Sequence, residues 1–421
     1  MNLKKGYKIE LLIGDEIEVL EKIGEGGQGV VYRISLHGQE YALKWYKKKP
    51  TSKFYANLKK NIEKGAPSSA FLWPLYLTKK DVDGCFGYVM NIREKSYVSF
   101  SNFLLAKCRF KSVSAMMNAA LIICYSFKSL HNKGYSYQDI NDGNFFINPE
   151  NGDVLICDND NVAPFGENLG IVGKCRYMAP EVVLGKSLPN TQSDRFSLSI
   201  ILFLLLFNNH PLEGRMITSC PCLTEEYEKR FYGTDPVFIF DKERDINRPV
   251  LGIHTNVIKR WPLFPVYIQE IFRKAFSVKT ITTTNERIIE SEWIKVFFRL
   301  RDELITCQCN NEIFVNIEED VCSCLNCKQK YKRPVLLKID GRIIALSKNK
   351  VIYESNTDNI IGIVSENKKY TGMLGLKNLT NNVWVLTNKD LTQRPIAKDT
   401  TCPLLVGNKV NIGNASIIEV I

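Results

Sequence analysis

Between Tyr137 and Glu181 the chain carries polar residues whose spacing leaves little freedom in what it can become. The stretch reads YQDINDGNFF, then VLICDNDNVAP, then KCRYMAPE. Asp139 is followed five positions later by Asn144, Asp158 closes a short apolar run, and Pro180 and Glu181 end the segment. A carboxylate to orient a hydroxyl, two oxygen ligands for a metal ion and a loop between them to receive a substrate are the parts that phosphoryl transfer needs. The chain before Tyr137 reads as holding a nucleotide, and the chain after Glu181 as supporting or addressing the site.

Length and composition frame that reading. At 421 residues the chain exceeds one ordinary core, so two or three domains are expected. Hydrophobic content of 45% and charged content of 24% are globular values and argue against a disordered chain. The net charge of +11 fits a polyphosphate-binding enzyme with a solvated, lysine-rich surface, and no nucleic-acid partner is expected. MNLKKGYKIE leads into a polar segment rather than a signal peptide, and the apolar run from Ser197 to Phe207 is too short to span a bilayer. The expectation is a cytoplasmic protein without a membrane partner. Of 13 cysteines, Cys85, Cys108, Cys124, Cys157 and Cys175 are scattered as small apolar residues would be, whereas five crowd between Cys307 and Cys327.

The first forty-odd residues alternate as strands do, in EIEVLEKIG, GVVYRISLH and QEYALKWYK. Between the first two lies GEGGQG, with Gly24, Gly26 and Gly29 in G-x-G-x-x-G spacing. A dinucleotide fold would place a helix after these glycines; here Val31 lies in a second strand, so the turn reads as a flap whose bare backbone can approach phosphate oxygens. Lys44 sits one strand later among apolar residues, within reach of phosphates held beneath the flap. A helix is expected over Phe54 to Lys64, and Glu63, nineteen positions after Lys44, is expected to pair with it. FGYVMNIRE, containing Met90, reads as a strand leading into a connector. Ser112 to Asn132 reads as an amphipathic helix ended by Gly134.

The order of glycine flap, strand lysine, helix glutamate, D-x4-N, second aspartate and Ala179-Pro180-Glu181 resembles a eukaryotic-type protein kinase over about residues 16 to 300. The resemblance implies an α+β, bilobal fold with ATP between the lobes. It makes Asp139 the base or orienter for the acceptor hydroxyl and Asn144 and Asp158 the Mg²⁺ ligands. Lys44 would hold the phosphates and Glu63 would hold Lys44, with Gly24, Gly26, Gly29, Val31 and Met90 lining the ATP site. Glu181 would be anchored by Arg287, and Asp194 would tie its helix to the catalytic loop.

The departures are specific. Gln138 stands where the family usually has arginine, Asn141 where serine/threonine kinases have lysine, and Asp158-Asn159-Asp160 lacks the usual phenylalanine and glycine. Asp160 offers an oxygen for a second metal contact. Between Asp158 and Glu181 there is no serine or threonine, only Tyr177. With the usual phosphate receptor replaced by Gln138, the enzyme is expected not to be switched on by Ser/Thr phosphorylation of that loop. His210, Cys220, Cys222 and His254 have no metal-site spacing and read as part of a loop insertion.

The tail divides in two. Cys307 and Cys309 form C-x-C, and Cys324 and Cys327 form C-x-x-C, which reads as a zinc ribbon with structural Zn²⁺ on these four and Cys322 spare. From Pro334 onward, short apolar strands with Gly and Asn turns read as an all-β sandwich, and GLKNLTNNVWVLT with GNKVNIG resembles a forkhead-associated domain without recognisable phosphothreonine-binding residues. The expected division is 1–304 kinase domain, 305–333 ribbon and 334–421 sandwich. CDNDNVAP, YQDI and the domain order together resemble bacterial kinases associated with TerY-type von Willebrand A proteins and a metal-dependent phosphatase. That resemblance implies those partners, a protein substrate, Ser/Thr specificity and a role in stress or phage-defence signalling. Two rivals stand beside it. One is a nucleotide-binding pseudokinase scaffold, which the intact Lys44, Asp139, Asn144 and Asp158 oppose. The other is a small-molecule kinase, which Ala179-Pro180-Glu181 opposes.

Overall fold

The computed structural model describes residues 3–170, 173–319, 321–324, 326–354, 359–367, 370, 372–413 and 416–421. Ser355 and Thr371, expected at strand ends, lie outside the described residues. The chain forms two compact units: Met1–Lys111, Asn118–Trp261 and Glu270–Ser291 make the first, and Ser112–Met117, Pro262–Gln269 and Glu292–Ile421 the second.

The first unit begins with an antiparallel sheet of β1 (Lys8–Glu10), β2 (Glu16–Glu25), β3 (Gly29–Leu36), β4 (Gln39–Tyr46), β5 (Pro74–Leu77) and β6 (Gly87–Met90), in the order β1-β2-β3-β4-β6-β5. Side chains alternate across each strand, so one face buries Ile17, Val19, Val30, Tyr32, Ile34, Leu43, Trp45 and Val89. The other face of β4 carries Ala42, Lys44 and Tyr46. Tyr46 packs there with Phe86 and Tyr88 against α1 (Ser52–Lys64), which contributes Phe54 and Leu58. Two glycines let the neighbouring strands close on β4. A Cβ on Gly29 would lie 2.6 Å from the Trp45 carbonyl oxygen, and one on Gly87 2.6 Å from that of Lys44. The backbone on both sides of Lys44 is thereby fixed.

The rest of this unit is mainly helical, with a few short strands between the helices. The helix Thr191–Phe207 starts in a capping box made by Asn190 and Ser193 and is buried along most of its length. Phe203 and Phe207 pack among Phe238, Trp261, Phe272 and Phe276. The helix Val113–Asn132 has the length and hydropathy to cross a bilayer, the one such helix among the described residues. Its Ala119, Ala120, Ile123, Phe127 and Leu130 are nevertheless buried within the protein, as the periodicity predicts.

In the second unit two short hairpins come first, Leu304–Thr306 with Glu312–Phe314 and Val321–Ser323 with Lys330–Lys332. An antiparallel β-sandwich comes next. One sheet runs Arg342–Ala345, Leu336–Ile339, Ile417–Val420, Lys409–Asn411, Trp384–Thr387, Gln393–Ile396. The other runs Val351–Tyr353, Ile360–Glu366, Leu374–Asn378, Thr401–Pro403. Trp384, Leu386, Leu376, Val410 and Ile418 fill the space between them. The expected strands are present, and two more are added. Gln393–Ile396 and Thr401–Pro403 are both edge strands containing a proline, which an edge tolerates and which hides them from a hydrophobic pattern.

One buried charge network braces the first unit. Asp194 accepts hydrogen bonds from the backbone amides of Tyr137 (2.6 Å) and Gln138 (3.0 Å), tying the helix to the loop that carries Asp139, as the resemblance implies. His131 reaches Asp194 Oδ2 through Nε2 at 3.1 Å and Glu290 Oε1 through Nδ1 at 2.9 Å, and Arg195 Nε also meets Glu290 at 2.8 Å. A ring with a carboxylate on each nitrogen donates from both, so it is an imidazolium. Burial alone would lower its pKa; the bonds to Asp194 and Glu290 raise it to about 9 instead. Because the folded value lies above the unfolded one, the stabilisation is complete below pH 6.5 and is lost as pH rises through about 9. Thermal unfolding of the wild type should therefore show stability falling between those limits. His131→Gln should be less stable at pH 6.5 and lose most of that slope; equal slopes in both proteins would contradict the assignment.

Candidate active site

The loop from Gln138 to Asn144 is built by short-range hydrogen bonds that its sequence supplies. Gln138 adopts a left-handed conformation, φ 72°, with its amide on Asp194. Asn141 caps the turn Asp142–Asn144 by accepting from the Gly143 amide at 3.0 Å. Its Nδ2 then donates to the Asp139 backbone carbonyl at 3.0 Å and to Asp139 Oδ1 at 2.9 Å. Asn144 Nδ2 donates to the same carbonyl at 2.8 Å, which orients its Oδ1 away from that bond. Burial raises the Asp139 carboxyl above its ordinary pKa, and the Asn141 donor opposes the rise. A raised pKa makes the Asp139 carboxylate a better proton acceptor than an ordinary aspartate.

A hairpin delivers the second aspartate. Phe145–Ile147 pairs with Val154–Ile156, and the Cys157 amide bonds the Asn144 carbonyl at 2.9 Å. Asp158 comes next in the left-handed region, φ 54°, its side chain about half exposed. Asn159 is fully buried and donates to the carbonyls of Leu72 and Ile156, both at 2.9 Å, which staples the loop to the chain beneath it.

Lys44 arrives from β4, and its partners differ from the expectation. Its Nζ lies 2.9 and 3.1 Å from the two oxygens of Asp160 and 3.4 Å from Asp158 Oδ1. Gln28, at the flap, is 3.4 Å away. The Tyr46 hydroxyl donates to Asp160 Oδ2 at 2.6 Å. Burial alone would lower the Lys44 pKa; Asp160 first and Asp158 second hold it above the ordinary amine value. Glu63 is exposed on α1, and the expected pairing with Lys44 is therefore corrected. The inward face of α1 carries Phe54, Asn57, Leu58 and Asn61, and a residue two positions beyond Asn61 points outward. Asn57 and Asn61 each donate to the Val162 carbonyl at 2.8 Å. Asp160, weighed from the sequence as a metal contact, is instead fully buried on Lys44 and Tyr46.

Val31 pairs with Lys44 and Met90 with Ala42, so both share the Lys44 face of the sheet. Gly24 and Gly26 have room for a Cβ without a clash, whereas Gly29 does not. Arg287 grips Glu181 bidentately at 2.8 and 2.7 Å, as expected. Gln138 Nε2 donates to the Ser136 hydroxyl at 3.1 Å and to the Glu167 carbonyl, while its Oε1 accepts from Asn168 at 3.3 Å. Neutral hydrogen bonds thus occupy the place of a loop-phosphate receptor. His210 Nε2 bonds the Arg176 carbonyl and His254 Nδ1 accepts from the Val250 amide, which accounts for both histidines without a metal.

The cysteine cluster forms at the turns of the two hairpins. The sulfurs of Cys307, Cys309, Cys324 and Cys327 all lie within 4.8 Å of one another. Three of the separations are 3.3, 3.5 and 3.7 Å. A disulfide would need about 2.05 Å, whereas tetrahedral Zn–S bonds near 2.3 Å give sulfur–sulfur edges of about 3.8 Å. The four residues fit a structural zinc ion. Cys322 faces away, its sulfur against the Tyr331 carbonyl at 3.9 Å.

The protein kinase domain family model matches residues 17–228, about half of the chain. No curated protein matches the chain. The geometry of the tail gives a direct test. Cys324→Ser should lower bound zinc by metal analysis, and Cys322→Ser should leave it at the wild-type level; the reverse result would reassign the ligands.

Proposed function

From the premise that this chain belongs to the protein kinase domain family, we propose that it is an ATP- and Mg²⁺-dependent kinase that phosphorylates Ser/Thr hydroxyls of proteins, itself included. The observation that carries the reading is the joint arrangement of four groups. Lys44 stands 3.4 Å from Asp158, and Asn144 bonds the backbone of Asp139 at 2.8 Å. Lys44 offers a fixed positive charge to phosphate oxygens beneath the flap. Asp139 accepts the hydrogen bond of an incoming hydroxyl, fixes its approach and takes its proton as the bond from that oxygen to the γ-phosphorus forms and the bond from the γ-phosphorus to the β–γ bridging oxygen breaks, releasing ADP. Asn144 and Asp158 are hard oxygen donors suited to Mg²⁺, which when bound supplies charge that screens the phosphates. Glu181 on Arg287 anchors the segment against which a polypeptide substrate would lie.

Control of the site rests on Gln138 and its neighbours. The loop is held by its own backbone and amides, so no loop phosphate is needed to order it. The tail supports partner binding: a ribbon stapled by zinc and a forkhead-associated-like sandwich are surfaces for other proteins. By family analogy those partners are a von Willebrand A-type protein and a metal-dependent phosphatase, in cytoplasmic bacterial stress or phage-defence signalling.

Labelled ATP with Mg²⁺ should transfer phosphate to protein serine or threonine, and Asp139→Asn should reduce the rate about 100-fold or more. Protein stripped by a phosphatase, and Tyr177→Phe, should keep their activity. Nucleotide binding without transfer in the wild type would favour the scaffold, and a requirement for phosphorylated Tyr177 would overturn the account of control.

A further inference from the structure

A lysine that grips phosphates must itself be held, because a mobile ammonium spends little time where the transition state needs it. In the kinase family the holder is a glutamate on the helix behind the sheet, so the position of that helix decides whether the lysine is in place. Here the inward face of α1 has amides, Asn57 and Asn61, and no carboxylate. Both amides are spent on the Val162 carbonyl. The carboxylate comes from elsewhere. Asp160 is fully buried and uses both oxygens on Lys44, at 2.9 and 3.1 Å, with Tyr46 completing its shell at 2.6 Å.

Building on the phosphotransferase reading above, we infer that Asp160 is the positioning residue for Lys44, and that the grip on Lys44 comes from the metal loop rather than from α1. Two arguments bear on it. The first is the cost of separation: a buried carboxylate and a buried ammonium each become uncompensated if the other leaves, so each pins the other. The second is the division of charge. Lys44 and Asp160 form the closer pair, and Asp158, half exposed and held more loosely at 3.4 Å, is the carboxylate better placed to meet a divalent cation. A loop stapled through Asn159 to Leu72 and Ile156 therefore carries both the lysine's holder and the metal's ligand on three consecutive residues. Lysine and metal are set by one element, and α1 supports it from behind, through its amides on the Val162 carbonyl and through Phe54 packed on Tyr46.

The test compares variants in binding a fluorescent ATP analogue with Mg²⁺ and the corresponding fluorescent nucleoside, which has no phosphates. Asp160→Asn keeps the shape and an acceptor for Tyr46 and removes the charge. It should weaken the ATP analogue roughly 10- to 100-fold and leave the nucleoside within about two-fold, a split that a merely structural loss does not produce. Its turnover should fall by a similar factor. Glu63→Ala, on an exposed position, should change neither ligand. If Asp160→Asn fails to fold, Tyr46→Phe decides: it should weaken the ATP analogue several-fold and spare the nucleoside. Loss of ATP binding on Glu63→Ala, or wild-type ATP binding in Asp160→Asn or in the deciding Tyr46→Phe, would overturn the inference. A wild type that transfers no phosphate yet shows these binding losses would end the phosphotransferase reading and leave the role of Asp160 standing.

Discussion

The buried contact between Lys44 and Asp160 is the constraint around which the candidate site closes. It joins a strand of the N-terminal sheet to a loop 116 residues later in the chain. Each end is prepared by local structure. On β4, Gly29 and Gly87 let the flanking strands approach without a side chain between them, so the lysine leaves a rigid backbone. On the loop, Asp158 turns through a left-handed conformation and Asn159 is bonded to two carbonyls, so Asp160 is presented inward. Neither charge would be tolerated alone in so buried a place.

A second constraint acts at the other end of the catalytic loop. Asp194 takes the amides of Tyr137 and Gln138, and the imidazolium of His131 balances it together with Glu290. The loop that carries Asp139 and Asn144 is therefore tied down at its start by charge and at its end by the asparagine-capped turn. Beyond it, Gln138 holds the later segment through Glu167 and Asn168, with Ser136 beside it. Where the family has an arginine that pairs with a loop phosphate, this chain has a neutral amide bonded to Ser136, Glu167 and Asn168.

Much of this was legible in the sequence, and the reasons differ by residue. The strands and the buried helices are readable from periodicity, and Asp194 and the Glu181–Arg287 pair from the resemblance to protein kinases. The four cysteines are readable from their pairing, and the hairpin turns bring them together. Glu63 misled because spacing along a chain does not determine the face of a helix; the buried positions Phe54, Asn57, Leu58 and Asn61 turn residue 63 to solvent. The signal that would have found the true partner was present. Two asparagines four apart on an otherwise apolar helix face, with no carboxylate there, leave a buried lysine wanting one, and an extra aspartate stands two residues after Asp158. Tyr46, two residues after Lys44 and on the same face of its strand, was readable as a neighbour. The network through His131 was not, because its members at 131, 194 and 290 meet only through tertiary packing. The edge strands with Pro395 and Pro403 were hidden because prolines and polar residues erase the pattern by which strands are recognised.

The account stands or falls on what holds Lys44 when nucleotide is bound. The most direct measurement is a crystal structure with Mg²⁺ and a non-hydrolysable ATP analogue. It should find the Lys44 ammonium about 3 Å from Asp160 and within hydrogen-bond distance of a phosphate oxygen, with Asp158 toward the metal and Glu63 in solvent. A structure in which Asp160 has moved onto the metal and a carboxylate from α1 has taken its place on Lys44 would contradict it.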